Sequence, residues 1–96
     1  MLEVNFNGDI LSENKLILSD FRRGFNFGDG VFETIRVING QPVFFDGHYK
    51  RLNAGLKTLM FDVPTLYSKQ YFLEQIKKLL IKNNINKGGR VRLSIF

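Results

Sequence analysis

The sequence predicts an α+β domain: a mostly antiparallel sheet with two helices packed on one face. Three observations carry that expectation. Short alternating or β-branched segments are punctuated by turn signals at Asn7–Asp9 and at Asn39-Gly40. Two stretches in the second half repeat apolar residues with a period of about 3.6. After an Asn- and Gly-rich break, the final segment RVRLSIF alternates again.

Each element follows in order. In residues 2–6, Leu2, Val4 and Phe6 alternate with Glu3 and Asn5, and after the NGD turn the segment ILS returns as the second arm of a hairpin. Residues 16–18 form a short apolar run ended by Ser19 and Asp20, and the loop DFRRGFNFGDG follows. Residues 31–38, VFETIRVI, are rich in β-branched residues and read as a strand. Asn39-Gly40 then turns the chain into a returning strand QPVFF, whose Pro42 suits a strand start. Asp46 is placed to cap a helix over residues 47–60, with Tyr49, Leu52, Leu56, Leu59 and Met60 on its apolar side. The segment DVP breaks it. Thr65 or Ser68 caps a second helix running to residue 83, with Phe72, Ile76, Leu79 and Leu80 on one face. Asn83, Asn84 and Asn86 with Gly88-Gly89 end that helix. The last strand sets Val91, Leu93 and Ile95 on one side and Arg90, Arg92 and Ser94 on the other.

Composition bounds the function. The 96 residues suit one small domain, and 44% hydrophobic content with 10 Phe is enough for a core. The chain has no cysteine, which excludes a disulfide framework and any Cys-based metal site, and fits a cytoplasmic setting. No apolar run reaches the roughly 18 residues of a membrane span, and the N-terminus lacks the basic-then-apolar order of a signal peptide. The net charge of +5 permits nucleic-acid binding. The excess is spread out, however. Lys69, Lys77, Lys78, Lys82 and Lys87 fall on or after one helix with Glu74 among them, the pattern of a solvated face. Neither nucleic acid nor membrane is an expected partner.

Several side chains invite a chemical reading. The glycines of GFNFGDG precede a strand, whereas a phosphate-cradling loop follows a strand and opens a helix, so a turn is expected here. Arg51 flanks the apolar stripe of the first helix. It is either a surface arginine with a packed stem or a bidentate holder of phosphate or carboxylate. His48, the only histidine, stands three residues before it and is expected to be hydrogen-bonded and structural. Gly55, four residues after Arg51, costs helix stability and allows another group to approach closely. Glu33 shares the strand face of Val31, Ile35 and Val37, where a carboxylate requires a partner, and an ion pair is expected. Phe32, Thr34 and Arg36 share the opposite face. Together with Arg92 they suit an anionic ligand or a partner domain that supplies carboxylates.

Residues 23–52, RGFNFGDGVFETIRVINGQPVFFDGHYKRL, bring these features together. The segment FGDGVFE, an Asn-Gly hairpin and a helix carrying His, two residues, Arg and Leu resemble the N-terminal domain of class IV (fold-type IV) pyridoxal-phosphate aminotransferases. That family includes branched-chain and D-amino-acid aminotransferases and aminodeoxychorismate lyase. The resemblance implies pyridoxal 5'-phosphate as cofactor, Arg51 as its phosphate anchor, and Phe27 and Phe32 on the substrate side. It also places Arg36 and Arg92 near the pocket that binds an amino acid or 2-oxo acid. The family's Schiff-base lysine lies beyond residue 96, so no catalytic residue is assigned here, and no metal is implied. The chain is then expected to be the small N-terminal domain, residues 1–96, of a two-domain enzyme that is inactive without its C-terminal domain and works as a homodimer. The activity implied is amino-group transfer to a 2-oxo acid, with the aminodeoxychorismate lyase reaction as the alternative. A non-catalytic basic binding or dimerisation module is the reading from another class.

Overall fold

The computed structural model describes residues 3–12 and 30–95. Strands β1 (Glu3–Phe6) and β2 (Asp9–Ser12) form an antiparallel hairpin in which Phe6 faces Asp9. Its two-residue loop, Asn7-Gly8, has φ of 55° and 93°, the left-handed backbone that a tight hairpin turn requires. Asn5 Oδ1 accepts from the Gly8 amide at 2.9 Å and steadies the turn. Phe27, the glycines at 24 and 28 and the apolar run at 16–18 lie outside the described residues.

The second sheet has three antiparallel strands in the order β4-β3-β5. Strand β3 (Val31–Ile38) is central, β4 (Gln41–Pro42) lies on one side, and β5 (Gly89–Ile95) lies on the other. Asn39-Gly40 makes the expected tight turn. The returning strand is shorter than QPVFF predicts. After Val43 donates to the Arg36 carbonyl at 2.8 Å, Phe44 adopts φ 55° and swings the chain into a helix.

Helix α1 (Phe45–Thr58) therefore starts before Asp46, which sits in its first turn and is not its cap. There Asp46 complements the helix dipole and pairs with Lys69. The buried side of α1 is Phe45, Leu52 and Leu56, with Tyr49 half-buried between them. Leu59 caps the C-terminus and Met60 points outward, so the sequence-predicted stripe runs two residues too far. The amide of Phe61 bonds the Leu56 carbonyl and that of Met60 bonds Lys57, closing the helix with a left-handed residue at Met60. Helix α2 (Lys69–Lys82) is capped by Ser68, whose side chain accepts from the Tyr71 amide at 3.1 Å. Its Phe72, Ile76 and Leu80 are buried, whereas Leu79 is only partly covered.

Both helices pack on one face of the three-stranded sheet. Ile35, Val37 and Val91 meet Leu52, Leu56, Phe72, Ile76 and Leu80 in a single core. The hairpin docks separately against α2. Asn83 holds the Glu3 backbone at both ends, accepting from its amide at 2.8 Å and donating to its carbonyl at 2.9 Å. Asn5 donates to Gln75 at 2.8 Å. Among the described residues no helix is long and apolar enough to cross a membrane.

Candidate functional site

The inward face of β3 carries one polar residue among Val31, Ile35 and Val37. This is Glu33, whose side chain is only 17% exposed. A carboxylate in that position loses hydration and must regain it from donors. Helix α1 supplies them. His48 and Arg51, one turn apart, reach the same oxygen, Glu33 Oε1. His48 Nδ1 lies at 2.7 Å, and Arg51 Nε and Nη2 each lie at 3.0 Å. His48 Nδ1 and Arg51 Nη2 also stand 3.0 Å apart. An unprotonated Nδ1 would aim its lone pair at a carboxylate oxygen 2.7 Å away. The ring proton therefore sits on Nδ1 and is donated to Glu33. Partial burial pushes the Glu33 carboxyl up, but hydrogen bonds from His48 and Arg51, and the charges of both, outweigh it and hold the group below its usual range.

Close approach of α1 to β3 makes this cluster possible. A Cβ on Gly55 would come within 2.9 Å of Val31 Cγ1, a separation that side chains do not tolerate. The sequence reading that Gly55 admits a close neighbour is thus answered by Val31. Gly47 acts at the other end of the helix: its missing side chain would lie 3.9 Å from Arg51 Nη1. Arg51 itself is 63% exposed. Nε and Nη2 are engaged, and among the described residues Nη1 makes no hydrogen bond. A guanidinium so exposed, with Nη1 unengaged among the described residues, has the donors that a phosphate group accepts.

On the other face of the sheet Phe32, Thr34, Arg36, Arg90 and Arg92 are exposed. Cross-strand register pairs Phe32 with Ser94, Thr34 with Arg92 and Arg36 with Arg90. The Arg92 guanidinium lies over the Phe32 ring, 4.1 Å from its centroid, while Phe32 remains 55% exposed. Arg36 and Arg90 are directly opposed like charges, an arrangement that disfavours the sheet by itself. They border a shallow depression with Thr34, Ile38, Gly88 and Gly89. Ser94 Oγ is buried and has no hydrogen-bond partner among the described residues. Arg90 is the residue that sequence reasoning passed over. The alternation that turned Arg92 outward turns Arg90 outward as well, but its pairing with Arg36 depends on the β3–β5 register.

The structure therefore brings Arg51 together with Glu33 and His48, and Phe32 with Arg92, on opposite sides of β3. It does not bring Arg51 to Arg36 or Arg92. Strand β4 pairs only with Val37 and Ile38. Among the described residues the β3 edge from Val31 to Ile35 has no strand on that side. No set of His, Asp and Glu able to hold a metal ion is present among the described residues.

The profile of amino-transferases class IV matches residues 30–96. Similar curated proteins include an aminodeoxychorismate lyase of Bacillus subtilis, 43% identical over 93% of this chain and 30% of its own length. A D-alanine aminotransferase of Listeria monocytogenes is 33% identical over 92% of this chain and 30% of its length. A D-alanine aminotransferase of Staphylococcus haemolyticus is 30% identical over 93% and 31%. The chain spans about 30% of the length of these relatives. The match begins one residue before β3 and includes the Arg51 cluster and both arginines opposite β3, and on that ground the chain belongs to the class IV aminotransferase family.

Proposed function

We propose that this chain is the small N-terminal domain of a pyridoxal 5'-phosphate-dependent enzyme acting on an amino compound that bears a carboxylate. The observation that carries the reading is the half-engaged guanidinium of Arg51, tied down on one edge and open on the other. In this reading Arg51 binds the cofactor phosphate bidentately and fixes its position. When bound, the cofactor supplies an electron sink for charge developing at the substrate α-carbon. Arg36, Arg90 and Arg92, across the sheet from Arg51, are the cationic groups proposed for substrate carboxylates, and Phe32 and Phe27, the latter outside the described residues, are proposed to line the substrate side. The lysine that carries the cofactor belongs to the C-terminal part of the enzyme, and the small domain closes the pocket, in a homodimer, in the cytoplasm.

Two activities fit this arrangement. Amino-group transfer to a 2-oxo acid is the broader family chemistry. The aminodeoxychorismate lyase reaction is favoured by the 43% identity to the lyase against 33% to the D-alanine aminotransferase. Borohydride reduction of the intact gene product, followed by peptide mass mapping, should find one pyridoxyl-modified lysine beyond residue 96. Absence of any such adduct overturns the reading. Product analysis then separates the activities: release of pyruvate without a 2-oxo acid acceptor identifies the lyase.

A further inference from the structure

We infer that Glu33 and His48 are positioning residues for Arg51, holding its guanidinium by the Nε/Nη2 edge so that the Nη1 edge is presented to a phosphate monoester. The inference rests on the reading of Arg51 as the phosphate anchor. An arginine on a helix surface samples many rotamers, and binding an anion freezes them at a cost in affinity. Here that ordering is already done. Both Arg51 contacts fall on one oxygen, Glu33 Oε1, at 3.0 Å each. Glu33 is fixed in turn by the 2.7 Å bond from His48, and these two side chains are only 17% and 14% exposed. The support is mostly covered and the guanidinium is exposed.

A guanidinium has five N–H groups, and the two pointing at Glu33 leave three. The two on Nη1 lie beside Gly47, where an added Cβ would stand 3.9 Å from Nη1 in ordinary van der Waals contact and only a longer side chain would crowd that edge. Electrostatics makes the idea falsifiable, because the Glu33 charge by itself repels a phosphate. If positioning dominates, removing Glu33 weakens phosphate binding. If charge dominates, removing it strengthens binding.

The test uses the intact enzyme freed of cofactor. Affinities for pyridoxal 5'-phosphate and for pyridoxal are measured by absorbance titration, and their ratio isolates the phosphate contribution. Glu33→Ala should lower the ratio about tenfold, the scale of one hydrogen bond to a charged group. Glu33→Gln keeps an acceptor oxygen for Arg51 Nε and should restore most of the loss. Gly47→Leu leaves the cluster intact and should also lower the ratio, which keeps the test open if Glu33→Ala does not fold. A ratio that is unchanged or higher in Glu33→Ala, or unchanged in Gly47→Leu, overturns the inference. Arg51→Ala distinguishes the two levels. If it collapses the ratio while Glu33→Ala does not, only the positioning role fails. If Arg51→Ala leaves the ratio unchanged, the anchor assignment fails with it.

Discussion

Glu33 shows how much one residue can announce. An acid on the core-facing side of a strand requires donors, and an ion pair was the expectation for Glu33. The partners' identity was not legible, because it depends on how closely α1 approaches β3. The sign of the pH effect follows from the geometry. The folded-state carboxyl is held below its unfolded value, so its contribution to stability is present above the ordinary carboxylate range and disappears as pH falls through the lowered value. Thermal denaturation of wild type and Glu33→Gln should therefore differ at neutral pH and converge as the pH drops below about 4. A constant gap across that range would show that the bridge does not stabilise the fold. Arg92 was legible as an outward residue from alternation alone. That it leans onto Phe32, away from the Arg36–Arg90 pair, was not.

Among the elements, α1 and the hairpin make separate demands. Gly55→Ala gains about 1 kcal/mol of helix propensity. The new methyl meets Val31 Cγ1 at 2.9 Å, and a β-branched side chain cannot swing aside. We expect a net loss of about 1–2 kcal/mol in denaturant titration. In a Val31→Ala background the same substitution should be neutral or stabilising, which makes the coupling measurable by double-mutant cycle. The hairpin hangs on Asn83. Asn83→Ala removes both bonds to the Glu3 backbone, and hydrogen exchange at the Glu3 amide should accelerate by at least tenfold while exchange in β3 is unaffected. Equal acceleration in both sheets would show that they unfold as one unit. The elements themselves were readable from periodicity and turn residues. The start of α1 was not, because the chain enters the helix at a left-handed Phe44 with no side-chain cap to signal it. Nor was the division of the strands into two sheets, since hairpins look alike in sequence whether or not they join a larger sheet.

At the scale of the whole molecule, two helices cover one side of the sheet and, among the described residues, Arg36, Arg90 and Arg92 occupy the other. In the intact enzyme Arg92→Ala should raise KM for a substrate bearing an α-carboxylate, by about tenfold or more for a lost charge-assisted contact. An unchanged KM would give Arg92 a purely structural role against Phe32. The fold class and the cationic face were visible in the sequence because alternation reports sidedness. The separation of Arg51 from that face was hidden, because the sidedness of a helical residue relative to a strand requires knowing how the helix is laid down. Consecutive residues of β3 thus serve different masters: Glu33 belongs to the helix side, while Phe32 and Thr34 belong to the open side. Adding or deleting a single residue within this strand would exchange every assignment at once, offering the carboxylate to solvent and the arginine to the core. Single substitutions can therefore respell this stretch letter by letter, whereas a change in its length would scramble the two faces.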